Sequence, residues 1–234
     1  MKLAVMQPYL FPYLGYFQLL GAVDHFVVYD DVAFIKRGWI NRNRILVGGK
    51  PHLFSVPLSD ASCFKPIHET EVDRQGYARW LRKFLMTVER SYARAPLYTP
   101  VRRLLDAVFE GFEGSIAELA RRSIVRTAEY LGLSTAIVAT SRGYGNGALK
   151  GRDRLIDIAR RDGADTYVNA IGGRELYAQE DFAAEGIGLL FLKPRPVRYP
   201  QWGEAFVPSL SVIDAMMFNA PARIGELLLE FDLV

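Results

Sequence analysis

The sequence predicts an α/β chain with a Rossmann-like, largely parallel sheet assembled from its two ends, and three observations predict it. Residues 1–35 run strand, loop, helix, strand; the same alternation returns across residues 133–195; and the stretch between them carries a glycine-turn hairpin and helical periodicity instead. Strands covered on both faces read as short apolar runs, and strands separated by helix-length segments point to parallel βαβ units.

Taken in order, Leu3 to Met6 is an apolar strand, Gln7 to Pro12 a loop punctuated by Pro8 and Pro12, and Tyr13 to Ala22 a helix. His25 to Tyr29 is a β-branched and aromatic strand that stops at Asp30 and Asp31. Trp39 to Val47 and His52 to Leu58 flank Gly48-Gly49-Lys50 as a β-hairpin. Ile67 to Val72 reads as a further strand and closes the hairpin region, 39–72. A helical block spans 76–131, with apolar residues at helical spacing from Gly76 to Tyr92, a stop at Ala95-Pro96, and helices over Val101 to Phe112 and Ser115 to Leu131. Ser115 with Glu118 three residues on has the pattern of a capping box. Thr135 to Thr140, Thr166 to Ala170 and Gly188 to Leu192 are strands, and Gly151 to Asp162 is a helix. C-terminal helices occupy 209–230, and the whole of 1–234 is expected to form a single domain.

Composition narrows the function class. At 50% hydrophobic and 24% charged, with 234 residues, the chain has the make-up of a soluble globular protein. One cysteine, Cys63, rules out an internal disulfide and fits a cytoplasmic location. Lysine plus arginine number 29 against 26 acids, so the net charge of +3 gives no basis for a nucleic-acid polymer or a membrane as partner. The apolar opening is interrupted by Gln7, Pro8, Pro12 and Gln18, which excludes both a signal-peptide core and a span of the roughly 18 apolar residues a membrane helix needs.

The charges are not spread evenly. Lys36, Arg37, Arg42 and Arg44 fall with Trp39, Asn41 and Asn43 in one short segment, and Lys150, Arg152 and Arg154 cluster at a helix start. Guanidinium forks suit phosphate or carboxylate, so both clusters are candidate anion sites for a small phosphorylated ligand. On an extended strand Asn41 and Asn43 share one face and Arg42 and Arg44 the other. The bland alternative is a charged hairpin edge that resists strand addition. Asp30 and Asp31 end a parallel strand, where open α/β sheets place their ligands. Strand alternation lets one of the two face a cleft, as a base or a Mg2+ ligand. His25, His52, His68 and Cys63 have no metal-ligand spacing. Asn169 opens a glycine-bearing loop after a strand, and Tyr199, Gln201 and Trp202 are candidates for a stacking and hydrogen-bonding wall.

Met6-Gln-Pro-Tyr-Leu-Phe-Pro-Tyr-Leu-Gly-Tyr-Phe-Gln-Leu-Leu20, Asp24 to Val32 and Lys36 to Leu46 closely resemble the WbqC-like family, associated with bacterial O-antigen and related polysaccharide clusters. The resemblance continues through Lys150 to Ile158, Tyr167 to Gly173, Tyr199-Pro-Gln201 and Phe206 to Asn219. Ala33 and Phe84 depart from it, where the family usually has a polar residue and a histidine. Tyr13-Leu14-Gly15-Tyr16 also stands where nucleotidyltransferase-like (HUP-type) sheets carry H-x-G-H against ATP phosphates, with both histidines replaced. The resemblance implies a transferase acting on a nucleotide-linked or amino sugar, by acyl or aminoacyl transfer with amide formation in polysaccharide or natural-product biosynthesis. Its ligands would be ATP or a nucleotide sugar, with Mg2+. In that reading Arg42, Arg44, Lys150 and Arg154 bind phosphate, Asp30 or Asp31 is base or metal ligand, and Tyr13 and Tyr16 orient the substrate. Gln7, Lys36, Trp39, Asn41, Asn43, Asn169, Tyr199 and Gln201 complete the binding set. The alternatives are nucleotidyl transfer to a sugar phosphate and a non-catalytic nucleotide- or sugar-binding accessory protein.

Overall fold

In a computed structural model describing residues 1–234, the first apolar run forms β1 (Lys2–Met6). Leu3 and Val5 enter one core and Ala4 the other. That is the two-residue alternation of a strand covered on both sides. The chain continues through α1 (Leu14–Gly21) and β2 (His25–Val28) into the hairpin β3 (Arg42–Val47) and β4 (Lys50–Ser55). Then come α2 (Arg74–Tyr92), α3 (Tyr98–Phe109), α4 (Ile116–Leu131) and β5 (Ala136–Val138). The last part holds α5 (Gly151–Asp162), β6 (Thr166–Ala170), α6 (Gln179–Ala183), β7 (Gly188–Pro194), α7 (Val212–Phe218), α8 (Pro221–Leu228) and β8 (Phe231–Leu233).

The six sheet strands lie in the order β5-β2-β1-β6-β7-β8, all parallel except β8, which runs antiparallel to β7. Counted along the chain without the hairpin, this is third, second, first, fourth, fifth, sixth, the Rossmann order. α5 and Phe182 of α6 cover one face, and α1 and α4 the other. The order reverses between β1 and β6, whose pairing is confined to Lys2 with Thr166 and Leu3 with Tyr167. Beyond Leu3 the two central strands part, and a crevice opens at their carboxyl ends.

The largest core lies outside the sheet: 35 buried side chains join the hairpin, α2, α3, α7 and α8, against 12 and 10 on the two sheet faces. The inserted segments are therefore a packed buttress for the first loop and not an appendage. Phe84 belongs to this core. It stacks on Trp80 with ring centroids 5.3 Å apart and meets Phe54 at 4.7 Å, so the Phe84 ring serves to fill space in this core.

Two expectations fail. Ile67 to Val72 is no strand: Ile67–Glu69 is a 3-10 turn held by Thr70 Oγ1 donating to the Pro66 carbonyl at 3.0 Å, and Val72 makes only an isolated bridge to Leu58. Its apolar residues are core plugs within a loop. β8 and α6 escape the reading because each is too short to show a period. Ser115 does cap α4, accepting from Glu118 N at 3.4 Å, but the Glu118 carboxylate turns to Arg121 and Arg122, so the capping box is only half formed. No helix is long and apolar enough to cross a membrane.

Candidate functional site

The crevice between β1 and β6 is a cleft of about 510 Å3, the position at which open α/β sheets bind ligands. Gln7 enters it from the end of β1 and Asn169 from β6. Asn169 Oδ1 accepts from Ala170 N at 2.8 Å, while its amide nitrogen has no partner in the protein. A Cβ on Gly173 would stand 2.7 Å from that nitrogen, so glycine there keeps the amide in place. The walls are aromatic: Tyr9, Tyr13, Tyr29, Trp39, Tyr167 and Tyr177. No acidic, basic or histidine side chain lines the cleft.

Tyr13 guards its edge. It precedes α1 with extended backbone, and its ring lies over Gly15, where a Cβ would fall 2.3 Å from the ring carbon Cε2. Burial raises the Tyr13 pKa above the usual phenol value, so the hydroxyl is a neutral donor and acceptor. Tyr16, expected beside it, is in the core: 2% exposed, its hydroxyl donates to the Gln7 carbonyl at 3.0 Å and its ring packs on Phe26. Three residues separate a cleft tyrosine before the helix from a core tyrosine within it.

The loop between Gln7 and Tyr13 is tied from several elements. Ser123 Oγ on α4 accepts from Phe11 N at 2.9 Å, Ser211 Oγ donates to the Phe11 carbonyl at 2.8 Å, and Leu10 N donates to the Trp39 carbonyl at 3.2 Å. Asn43, buried on β3, donates to the carbonyls of Leu10 and Phe11 at 3.2 and 2.8 Å. Phe11 itself sits at φ 42, strained for a residue with a side chain, and these bonds hold it there. Asn43 is thus a brace. Asn41 likewise spends its amide on Ser55 and Val56 of the hairpin.

The acidic pair does not enter the cleft. β2 ends at Val28, so strand alternation does not govern Asp30 and Asp31, and both carboxylates converge on Ser141. Asp30, 4% exposed, accepts from Thr140 Oγ1 at 2.7 Å, and Asp31 accepts from Ser141 Oγ and the Arg154 guanidinium, each at 2.5 Å. Burial alone would raise the Asp31 pKa, but the Arg154 and Ser141 bonds outweigh it and hold the carboxyl below its usual range. Asp30 Oδ1 and both Asp31 oxygens are hydrogen-bonded, Asp30 Oδ2 faces the Arg142 guanidinium at 3.8 Å, and no three His, Cys, Asp or Glu side chains gather anywhere in the chain. These residues do not fit a Mg2+ site.

Arg154 is correspondingly no phosphate ligand: 3% exposed, it is held by Asp31 and by Asn146 at 3.0 Å, with its guanidinium 4.9 Å from the Tyr29 ring centre. The anion that a cation in the first turn of α5 calls for is supplied by the chain itself. Arg152 pairs with Asp181, and Lys150 is exposed outside the cleft lining. Of the two basic clusters, the first keeps cations without a carboxylate partner, although Arg42 donates to the Gly38 carbonyl at 2.9 Å and to the Arg37 carbonyl. Arg42 and Arg44 place their guanidinium carbons 5.9 and 5.4 Å from the Trp39 ring centre, neither pairs with a carboxylate, and Lys36 is exposed nearby. Tyr199 and Gln201 form a different unit. Gln201 clasps Val207 and donates to the buried Asp214 at 2.8 Å, and Tyr199 bonds to the same carboxylate.

Tyr9, Tyr29 and Tyr177 line the cleft without having been singled out in the sequence. Tyr29 follows the carboxyl end of β2, a position that marks it once the sheet order is known; nothing local marks Tyr177.

A six-stranded, mostly parallel sheet in Rossmann order, with an uncharged aromatic cleft at its switch point, defines an α/β protein of Rossmann-like architecture. The chain belongs to the WbqC-like protein family, whose profile matches residues 7–226. It is similar to the uncharacterized protein Rv1507c of Mycobacterium tuberculosis (strain ATCC 25618 / H37Rv), at 29% identity over 230 residues, 97% of each chain. No solved structure matches it.

Proposed function

We propose that the chain is a transferase that binds a nucleotide-linked or amino sugar with the sugar ring in the β1/β6 cleft, and that it joins an acyl or aminoacyl group to a sugar amine. The observation that carries the reading is the lining: flat aromatic faces for the C–H surface of a sugar ring, with the Gln7 and Asn169 amides as the orienting polar groups. Such a site fits a polyhydroxylated, weakly charged ligand better than a bare triphosphate.

The same lining supports a preformed activated donor over ATP. Arg154 and Arg152 are spent on carboxylates, and the Asp pair is engaged by Thr140, Ser141, Arg154 and Arg142, so the cradle expected for ATP with Mg2+ has little support. Catalysis then rests on positioning the amine against the acyl carbonyl, with neutral tyrosine hydroxyls as donors. The amine forms the C–N bond, the activating group leaves with its electron pair, and the amine proton passes to solvent. Nucleotidyl transfer, and with it the likeness to nucleotidyltransferase-like sheets, has less support because Tyr16 is removed to the core. A second reading, a binding protein without turnover, is favoured by the absence of any carboxylate, histidine or lysine from the cleft wall.

The test is a panel of nucleotide sugars, with and without free amino groups, offered with acyl and aminoacyl thioester donors and followed by mass spectrometry. An acylated sugar product that Asn169→Ala abolishes supports the transferase. Binding without product supports the second reading, and neither binding nor product contradicts both.

A further inference from the structure

A second cavity of about 390 Å3 adjoins the cleft and shares Tyr13, Gly15 and Pro194 with it. Its chemistry differs. Arg195 and Arg198 line it and no acid does. Arg195 is committed to Asp232 and Glu230, whereas Arg198 has no carboxylate partner and lies 5.8 Å from the centre of the Phe206 ring. Phe206 in turn meets Tyr199 edge-on at 5.2 Å, so the cavity carries an aromatic wall beside a free cation.

The hairpin adds a second cation near the junction. Arg44 spans between Trp39, a wall of the neutral cleft, and Ser209, a wall of the second cavity, whose carbonyl accepts from it at 3.3 Å. Arg44 Nε is buried and has no hydrogen-bond partner. A buried charged donor left open is costly unless something accepts from the group.

We propose that the two cavities are halves of one substrate site, and that the second takes the nucleoside diphosphate end of the ligand, with Arg198 and Arg44 on the phosphates and the Phe206–Tyr199 wall beside the nucleoside. This inference rests on the sugar reading of the first cleft only for the identity of the other half. The division of charge follows the ligand's own: neutral ring on one side of Tyr13, anionic diphosphate and planar base on the other. Guanidinium binding to phosphate is the strong, oriented kind of contact.

Isothermal titration with UDP, GDP, dTDP and ADP, with inorganic phosphate, and with the matching nucleotide sugars tests this on the full chain. The expected result is that at least one nucleoside diphosphate binds, and that Arg198→Ala weakens it by about tenfold or more, the scale of one charge-assisted hydrogen bond. Asn169→Ala should leave that affinity unchanged and remove the extra affinity of the nucleotide sugar. If no nucleoside diphosphate binds, if Arg198→Ala and Arg44→Ala both bind as the parent does, or if inorganic phosphate binds as well as the nucleotides, the proposal is wrong. Nucleotide binding through Arg198 with no gain from a sugar would retain this proposal and remove the sugar reading. Sugar binding through Asn169 with a silent Arg198 would do the reverse.

Discussion

The Asn43 carboxamide on the hairpin donates to the Phe11 carbonyl at 2.8 Å and so ties the inserted segment to the loop that forms one wall of the cleft. Its Oδ1 accepts from Arg44 N at 2.8 Å, which links the brace to the strand that carries the free cations. The asparagine that stands among arginines in the sequence serves the site indirectly, by shaping the backbone from which Tyr13 emerges.

Asn43→Ala should therefore cost about 1–3 kcal/mol of stability, the range for leaving buried polar groups unsatisfied. Urea unfolding measures the loss, and ligand affinity should fall with it because Phe11 is released from its strained conformation. Asn43→Asp should not restore either, since a carboxylate cannot donate to the two carbonyls.

Gly15→Ala should separate binding from stability. Alanine suits a helix better than glycine, by about 1 kcal/mol, yet its Cβ would occupy the space of the Tyr13 ring. Tyr13 is 38% exposed and free to swing, so the melting temperature should hold or rise while nucleotide-sugar affinity drops. A fall in melting temperature with unchanged affinity would show that Tyr13 is not a wall of the binding site.

Asp31 and Arg154 set an acid limit. Burial works against the Asp31 charge, but the Arg154 and Ser141 bonds prevail and depress its pKa in the folded state. A depressed carboxyl contributes stability that is complete above its unfolded value, about 3.9, and disappears as pH falls through the folded one. Arg154→Ala leaves the half-buried Asp31 carboxylate without its cation and should cost about 1–3 kcal/mol at neutral pH. Replacing both, Asp31→Asn with Arg154→Met, should recover much of that loss and flatten the acid limb of stability against pH.

Asp214 has the opposite sign. Burial raises its pKa, and the bonds from Tyr92, Gln201 and Tyr199 do not overcome it. A raised carboxyl favours folding most below its unfolded value and loses that contribution as pH rises through the folded one. Unfolding free energy measured from about pH 4 upward should carry this downward slope, and Asp214→Asn should remove it.

The sheet was legible because β1, β2, β6 and β7 are apolar runs between helices, and α5 and β6 fall at the expected bounds. Gln7, Tyr13, Trp39 and Asn169 meet in the cleft because strand ends in this fold gather at a switch point, a rule about position. What could not be read was partnership. Whether an arginine faces solvent or a carboxylate depends on segments more than a hundred residues away, as Asp31 and Arg154 show. Tyr13 and Tyr16 differ because the first precedes α1 with extended backbone and the second lies within it, and the 67–72 segment has a strand's composition with a loop's hydrogen bonds.

The proposed ligand places its sugar ring in the uncharged cleft between β1 and β6. A crystal structure of the chain with the tightest-binding nucleotide sugar tests it most directly. Ring density is expected within hydrogen-bonding distance of the Asn169 amide, against the aromatic wall that includes Tyr29 and Tyr177. Sugar density at the start of α5 near Lys150, or a cleft left to solvent while the ligand binds elsewhere, would contradict it.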